Sequence, residues 1–262
     1  MKQADTKAII IAAGLGSRLR PFTDECPKCM LDFGGKTLLR RQTDIFEDCG
    51  IGDITVIRGY HGDKINYEDL RYVDNADFEN NNILMSLFCA EKEIVGDIVI
   101  SYSDILFEKH VVAQLMAGTG DISIVVDLDW QDYYTGRDHH PIEEAENVTF
   151  DDLGRVIKIG KQLDHSHGKL GEFIGMLRLS AAGAKLFKEH YRRAKDLYLD
   201  RPFQRATTFR KAYLTDLIQE MVDQGVTINC VFIEKGWKEI DTVQDYLNAI
   251  KEFETQESEV DI

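Results

Sequence analysis

Residues 7–23 carry the sequence KAIIIAAGLGSRLRPFT, which joins an apolar segment to a glycine-rich one. The apolar segment, Lys7–Ala13, has the length of a strand and is typical of a strand buried on both faces, as in a parallel sheet. Gly14 and Gly16 follow it, and glycines at this point let backbone N–H groups approach a phosphate closely. The stretch therefore predicts a buried central strand followed by a phosphate-binding loop.

Strands and helices alternate along the rest of the chain. We predict further strands at 53–58, 97–102, 122–127, 155–159, 173–179 and 227–234, and helices at 36–49, 83–94, 109–116, 181–195, 210–224 and from 242 to about 253. Successive strand, helix and strand form βαβ units, whose ligand sites lie beyond the carboxyl ends of the strands. The pattern predicts an α/β fold with a doubly wound, mostly parallel, Rossmann-like sheet. The irregular segment 130–169 is expected to be an insertion over that sheet.

The net charge of the chain restricts which molecules the protein is expected to bind. The 262 residues include 31 Lys and Arg against 46 Asp and Glu, a formal charge of −15. So negative a surface repels nucleic acid and anionic lipid, and a polyanionic substrate needs local cations or a metal. No apolar run approaches the roughly 20 residues of a membrane span, and the five scattered cysteines favour reduced thiols. We expect a cytoplasmic protein without nucleic-acid or membrane partners.

Two familiar nucleotide-binding motifs fail on spacing. The dinucleotide fingerprint needs a third glycine where Leu19 stands, and a Walker loop ending in Gly35-Lys36-Thr37 needs a glycine at Met30. The loop does carry Arg18 and Lys28, two cations that can hold a triphosphate. The alternative is that both are solvated loop charges.

The glycine loop resembles the signature of a known enzyme family. Residues 14–23 with Pro27-Lys28 are similar to the signature of the nucleotidyltransferases that make NDP-sugars and CDP-activated small molecules, and the similarity covers nearly all of the chain. This sugar-nucleotide pyrophosphorylase-like family uses the glycine loop to hold the NTP, a signature Arg for its phosphates and a signature Lys for the reacting phosphorus. The resemblance implies catalytic roles for Arg18 and Lys28. It implies nucleotide binding by Ala12, Ala13, Gly14, Gly16 and Ser17.

The resemblance also implies a metal site and a division of the chain. Asp104 follows a predicted strand where the family has an Asp that binds Mg²⁺, and Glu239-Ile-Asp241 resembles the second metal-ligand segment. Two carboxylates and substrate phosphates suit octahedral Mg²⁺, although either Asp could instead cap a helix. We expect catalytic and metal-binding roles for Asp104 and Asp241. A single domain, 1–262, would comprise an NTP-binding half (1–128), an acceptor-binding half (129–241) and a C-terminal helix and tail (242–262).

Two further segments resemble the bacterial CTP:phosphocholine and CTP:phosphonate cytidylyltransferases. The segment Asn80–Leu87 is closer to the phosphocholine type, and its amides suit cytosine, so we expect Asn82 and Ser86 to bind the base of CTP; a helix-capping turn is the alternative. The segment 129–146 is closer to the phosphonate type. Arg137 and Lys161 could clamp an acceptor phosphonate or phosphate. Carboxylates and aromatic faces suit an ammonium head, and packing is the alternative for both tryptophans. The remaining expected acceptor-binding residues are Tyr102, Trp130, His140, Glu144, Glu146 and Trp237.

The sequence thus predicts an Mg²⁺-dependent transfer of CMP from CTP to a small phosphonate or phosphate monoester, with release of pyrophosphate. The acceptor could be 2-aminoethylphosphonate, a hydroxyalkylphosphonate or a compound like phosphocholine. One alternative is a UTP- or dTTP-dependent sugar-1-phosphate nucleotidyltransferase, and another is a non-catalytic nucleotide-binding regulatory protein. Segment 130–169 or helices 181–224 could supply a homodimer surface.

Overall fold

The central strand β1 (Lys7–Ala12) lies between two parallel neighbours in a nine-stranded mixed sheet. The computed structural model describes residues 6–163 and 168–260, with side chains up to residue 253. The other strands are β2 (Asp32–Phe33), β3 (Lys36–Thr37), β4 (Asp53–Arg58), β5 (Arg71–Asp74), β6 (Ile98–Tyr102), β7 (Ile105–Phe107), β8 (Ile122–Asp127), β9 (Glu146–Phe150), β10 (Val156–Lys161), β11 (Lys169–Leu179), β12 (Asn229–Ile233) and β13 (Trp237–Glu239). The helices are α1 (Leu38–Asp48), α2 (Ile83–Cys89), α3 (Lys109–Ala117), α4 (Trp130–Tyr133), α5 (Ala181–Tyr198), α6 (Leu214–Asp223) and α7 (Val243–Val260).

The order of the strands places the crevice of the sheet at β1. The sheet runs β10-β9-β11-β6-β1-β4-β5, and β8 joins it through β11 and carries β12. Strands β6, β1, β4 and β5 are parallel, as are β8 and β12, whereas β11 is antiparallel to its neighbours. Since β4 and β6 flank β1 on opposite sides, the strand order reverses there, and the carboxyl ends of β1 and β6 form a binding crevice. The predicted doubly wound sheet with parallel central strands is confirmed.

Helices cover both faces of the sheet. Ile9 and Ile11 of β1 belong to the apolar cluster that contains α2, α5 and α6, and Ile10 and Ala12 belong to the opposite cluster, with α1 and α3. Alternate residues of a strand face opposite sides, so a strand buried on both faces must be apolar throughout. This is why the residues from Ala8 to Ala13 are all apolar.

Several element boundaries differ from the prediction. Residues 36–37 belong to a β2–β3 hairpin, and α1 begins at Leu38 because the Thr37 hydroxyl accepts a hydrogen bond from the Arg40 N–H. The helix expected from residue 210 begins at Leu214, since the Asp216 carboxylate accepts the Tyr213 N–H and fixes the start. The irregular segment contains β9, which was missed, and β11 starts at residue 169 rather than 173.

The longest helices do not resemble membrane spans. Helices α5 and α7 have 18 residues each, and charged side chains occur along α5 and within residues 243–253 of α7. No helix within residues 6–163 and 168–260 is both long and apolar enough to cross a bilayer.

Candidate active site

Four residues that were predicted to be catalytic lie together at the carboxyl edge of β1 and β6. The Lys28 Nζ is 3.0 Å from Asp104 Oδ2 and 2.7 Å from Asp241 Oδ1. The Arg18 Nη2 is 2.6 Å from Asp241 Oδ2. The Lys28 and Asp241 side chains are only 12% and 8% exposed. These four residues therefore form one partly buried cluster of two cations and two carboxylates, although Lys28 and Asp241 are 213 positions apart in the chain.

Backbone contacts and an apolar cluster hold these residues in place. Lys28 begins a short 3-10 turn whose next residue, Cys29, is buried in the core. The Ile240 N–H donates to the Asp104 carbonyl over 2.7 Å, which joins the segment of Asp241 to the end of β6. The Ile240 side chain packs in the same cluster as Leu19 of the glycine loop. Packing among loops from three parts of the chain thus fixes the distances between the charged groups.

The glycine loop opens toward this cluster. Gly16 has φ = 60°, in the left-handed region that favours glycine, and its carbonyl accepts a 2.8 Å hydrogen bond from Thr23 Oγ1. A Cβ on Gly16 would lie 3.2 Å from the Cβ of Lys28, whereas nothing lies within 4 Å of a Cβ built on Gly14. Gly14 and Ser17 are exposed, and Ala12 and Ala13 are buried at the end of the sheet. The loop can therefore present its backbone to an anion.

Arg137 has partners other than the expected acceptor. Its Nε and Nη2 donate to the two carboxylate oxygens of Asp245 over 2.7 and 3.1 Å, and Nη2 also donates to Glu239 Oε2 over 3.0 Å. The guanidinium lies over the rings of Tyr133 and Tyr134 and is 4% exposed. These bonds engage Nε and Nη2, whereas Nη1 is buried and has no hydrogen-bond partner among the described residues. Arg137 thus fixes the position of Glu239, and binding of an acceptor phosphonate by Arg137 stays a prediction.

Asp245 was missed by the sequence analysis. Its Oδ2 accepts the N–H groups of Asp241 and Thr242 over 3.1 and 2.8 Å, and its own N–H donates to Thr242 Oγ1. Thr242 and Asp245 thus form a capping box at the start of α7. The Thr-x-x-Asp spacing before an apolar helix was the signal that could have found it. The box orients the turn that carries Asp241.

His140 lies beside the second carboxylate segment. Its Nδ1 is 3.4 Å from both Glu239 Oε2 and Asp241 Oδ2, and its side chain is 4% exposed. Burial, followed by the charge of Arg137, lowers the pKa of His140 to about 4. The imidazole is therefore neutral at pH 7.

A second polar group lies around Tyr102, at the end of β6. The Tyr102 hydroxyl and Thr215 Oγ1 donate to the two oxygens of Glu146 over 3.2 and 3.0 Å. Burial raises the pKa of Glu146 to about 7. Lys161 forms an ion pair with Glu144, and the hydrogen bond from Lys161 lowers the pKa of that carboxyl group. The structure thus brings together four of the residues expected to bind the acceptor.

The side chains of Asn82 and Ser86 are engaged within the protein. Asn82 Oδ1 accepts the N–H of Ile83 at the start of α2, and its Nδ2 donates to the Lys211 carbonyl. The Ser86 Oγ is buried and accepts a 2.9 Å hydrogen bond from Asn75 Nδ2. Asn82 is a helix cap, the alternative considered from the sequence. Recognition of a base by these two side chains stays a prediction.

Both tryptophans are buried and packed against other side chains, the alternative considered from the sequence. Their contact with an ammonium group of the acceptor stays a prediction. Trp130 is buried against Tyr134 and Ala145. The Trp237 Nε1 donates to Asp127 Oδ2 over 2.8 Å. Trp237 also lines a cavity of about 790 Å³ between α1, β13 and α7, and Lys28, Asp104 and Asp241 do not line it. This cavity is therefore separate from the charged cluster.

The buried charged groups shift one another's pKa values. Burial alone would lower the pKa of Lys28, but the carboxylates of Asp104 and Asp241 raise it above its ordinary value. Burial opposes ionisation of Asp241, yet the charge and hydrogen bond of Lys28 bring its pKa below the usual range. Burial, together with the charges of Asp241 and Asp104, raises the pKa of Glu239. Lys28 is thus a fixed cation that keeps Asp241 ionised.

The carboxylates fit a divalent cation. Asp104 Oδ1 is buried and has no hydrogen-bond partner among the described residues. Asp241 contributes a second buried carboxylate, so the pair offers oxygen ligands of the kind that hard divalent cations prefer. A metal ion between them could also contact substrate phosphates at the glycine loop.

A glycine loop at the reversal point of a doubly wound sheet, two cations and two buried carboxylates together define a nucleotidyltransferase. The chain belongs to the family of MobA-like NTP transferase domains, whose family model matches residues 8–157, more than half of its length. The resemblance stated from the glycine loop is confirmed, and the protein is an enzyme of the nucleotidyltransferase type. Nucleotidyltransferases of this family typically use a divalent metal.

Curated relatives include three cytidylyltransferases. The chain is 28% identical over 250 residues to a CTP:phosphoglutamine cytidylyltransferase of Campylobacter jejuni, covering 91% of this chain and 96% of the relative. It is 36% identical over 106 residues to a choline-phosphate cytidylyltransferase of Streptococcus pneumoniae, covering 39% and 46%. It is 25% identical over 185 residues to a 2-aminoethylphosphonate cytidylyltransferase of Lancefieldella rimae, covering 69% of each.

Solved structures of the same fold include two CTP-dependent enzymes. A CTP:phosphocholine cytidylyltransferase from Streptococcus pneumoniae matches with a TM-score of 0.71 at 21% identity, covering 94% of this chain and 98% of that one. An inositol-1-phosphate CTP transferase from T. maritima matches with a TM-score of 0.73 at 21% identity, covering 97% and 98%. At this identity the two structures establish the fold.

Proposed function

We propose that the enzyme transfers CMP from CTP to a small acceptor that bears a phosphate or phosphonate group, with release of pyrophosphate. The observation that carries this proposal is the cluster in which Lys28 bridges Asp104 and Asp241 beside Arg18. The choice of CTP is supported by the similarity to a CTP:phosphoglutamine cytidylyltransferase over 91% of the chain.

The reaction is an in-line displacement at the α-phosphorus of CTP. An acceptor oxygen forms a bond to that phosphorus while the bond to the pyrophosphate oxygen breaks. A phosphate or phosphonate dianion is already a nucleophile, so the site needs no strong general base. Catalysis then depends on positioning and on neutralising charge, and Lys28 and Arg18 supply the positive charge next to the glycine loop.

We propose Mg²⁺ as the divalent cation at Asp104 and Asp241, because this pair offers oxygen atoms alone. When bound, the ion neutralises phosphate charge. Lys28 keeps the two carboxylates close together, and the contact between Ile240 N–H and the Asp104 carbonyl preserves their spacing.

The polar group around Tyr102 suits an acceptor that also carries a cationic nitrogen. Lys161 offers an ammonium to an acceptor phosphate, whereas Glu144 and Glu146 offer carboxylates to a cation. The ring of Tyr213 lies 5.4 Å from the Lys161 Nζ and adds an aromatic face. Glutamine, choline and aminoethyl groups, which occur in the acceptors named for the three relatives, each carry such a nitrogen. We therefore propose that the acceptor is a zwitterionic phosphate or phosphonate.

Pyrophosphate release tests this function. The purified enzyme is assayed with CTP, UTP, dTTP and ATP, each against matched acceptors with and without an amino group, such as 2-aminoethylphosphonate and ethylphosphonate. We expect turnover with CTP and a preference for the amino-bearing member of each pair. A preference for UTP or dTTP with a sugar 1-phosphate would replace this function by the sugar-nucleotide alternative. Tight binding of CTP without turnover on any acceptor would indicate a regulatory protein.

A further inference from the structure

The two oxygens of the Asp241 carboxylate face different partners. Oδ1 lies 2.7 Å from the Lys28 Nζ, on the side of Asp104. Oδ2 lies 3.4 Å from His140 Nδ1, on the side of Glu239. One carboxylate therefore contacts two groups of side chains, and the proposed reaction uses Lys28, Asp104 and Arg18 but neither His140 nor Glu239.

The second group has the dimensions of a metal site. One ligand atom each from His140, Glu239 and Asp241 can be chosen so that all three lie within 4.8 Å of one another. His140 Nδ1 is 3.4 Å from both Glu239 Oε2 and Asp241 Oδ2. Two ligands about 2.1 Å from an ion and about 110° apart are separated by about 3.4 Å, as around a tetrahedral first-row cation. The spacing thus suits one ion between the imidazole and the carboxylates.

His140 points into this group without a partner. Its side chain is 4% exposed, and Nδ1 has no hydrogen-bond partner among the described residues. A buried ring nitrogen is rarely left unpaired, because losing water without gaining a bond costs about 1–3 kcal/mol. An unpaired nitrogen beside two carboxylates indicates that a cation completes the arrangement.

We propose that His140, Glu239 and Asp241 form a second divalent-cation site that shares Asp241 with the first and takes a first-row transition cation such as Mn²⁺ or Zn²⁺ in preference to Mg²⁺. The imidazole is the reason for this selectivity. Nitrogen ligands suit Zn²⁺ and its first-row neighbours, whereas Mg²⁺ prefers oxygen ligands alone.

The surrounding residues support the site. Arg137 donates to Glu239 Oε2 over 3.0 Å and is itself held by Asp245, so the Glu239 carboxylate has a fixed orientation, as metal ligands commonly do. Arg18, which contacts Asp241 Oδ2, is 55% exposed, so a cation can displace it from that oxygen without disturbing the core.

Binding of Mn²⁺ to the metal-free, nucleotide-free protein tests the inference. The amount bound is measured from the EPR signal of free Mn²⁺, and pulsed EPR detects coupling of the bound ion to a ligand nitrogen. His140→Ala removes the ligand, and His140→Asn keeps a polar group in the cavity but no imidazole. His139→Ala changes the exposed neighbouring histidine and is the matched control. Asp104→Asn disables the first site and leaves the second intact.

We expect nitrogen coupling in the wild type, in His139→Ala and in Asp104→Asn, and we expect it to persist in excess Mg²⁺. His140→Ala should lose it and bind Mn²⁺ at this site at least about tenfold more weakly, the loss that removing an outer partner of a ligand already causes. If His140→Ala fails to fold, His140→Asn, with an unchanged melting temperature, gives the same comparison. Absence of nitrogen coupling in the wild type, or coupling that survives in both His140 variants, would overturn the inference.

The inference rests on the proposed function for the use of Asp241 at the first site, but the test needs no substrate. If nitrogen coupling is present and pyrophosphate release fails, the proposed function is wrong and the second site stands. If turnover proceeds with Mg²⁺ and no variant changes Mn²⁺ binding, the second site is wrong and the function stands.

Discussion

Replacing Lys28 by methionine removes the cation that joins Asp104 to Asp241 while it keeps an unbranched side chain of similar length. The ammonium lies 3.0 and 2.7 Å from the two carboxylates, and its side chain is 12% exposed. At an effective dielectric of about 20, unit charges at these distances attract one another by about 6 kcal/mol per pair. Burying the charges offsets much of this attraction, and loss of one partner from such a pair costs about 3–5 kcal/mol.

We expect two measurable effects of Lys28→Met. The free energy of unfolding at pH 8 should fall by about 3–5 kcal/mol in urea denaturation. Turnover should fall by about 10²–10³-fold or more, the effect of removing one group that stabilises transition-state charge. The matched control is Lys36→Met, whose ion pair with Asp44 lies at the surface and contributes about 0–1 kcal/mol.

The loss of stability in Lys28→Met should also depend on pH. The pKa of Asp241 lies below its ordinary value in the folded protein, chiefly because Lys28 outweighs the effect of burial. A depressed carboxyl pKa contributes stability above the ordinary pKa of Asp and loses it as the pH falls through the folded value. The stability difference between wild type and Lys28→Met should therefore shrink below about pH 4. Turnover within tenfold of the wild type, or equal losses in Lys36→Met, would refute this account of the site.

Three further substitutions test other parts of the structure. Asp104→Asn should lower pyrophosphate release by about 10²-fold or more while the melting temperature changes little; an unchanged dependence of the rate on Mg²⁺ would contradict its role as a ligand. Arg137→Met should destabilise the protein by about 3–5 kcal/mol in urea denaturation, since it leaves Asp245 and Glu239 without a cation. If the variant changes only the KM of the acceptor, Arg137 binds the acceptor instead. Burial raises the pKa of Glu146 from 4.5 to about 7, so its stability contribution is present below about pH 4.5 and is lost as the pH rises through 7. Glu146→Gln should therefore gain up to about 3 kcal/mol over the wild type between pH 5 and 8 by thermal unfolding at several pH values, and a constant difference would show that Glu146 titrates normally.

The site could be predicted best for the residues that follow strands. Gly14 and Asp104 come directly after the buried strands β1 and β6, and parallel neighbours must end at the same edge. Their meeting therefore followed from the order of strands along the chain. Lys28 and Asp241 do not follow from periodicity, and the family resemblance supplied them.

The partners of Arg137 and the two tryptophans could not be predicted in the same way. Arg137 and Asp245 are 108 positions apart, and no local pattern connects an irregular segment to the first turn of a distant helix. The same applies to Trp237, whose indole N–H reaches Asp127 across 110 positions. The residues next to a loop arginine do not show whether it is exposed or buried, so only the folded chain shows that Arg137 pairs with Asp245 and Glu239.

The amino-acid sequence was enough to establish the central strand, the glycine loop and the winding of the sheet, because apolar periodicity and glycine act over a few neighbouring residues. The packed molecule was needed to show that Arg137 supports Glu239, that Asn82 caps a helix, and that His140 faces two carboxylates. These contacts depend on where distant segments come to lie. Such positions result from the packing of the whole core, and no short stretch of the chain specifies them.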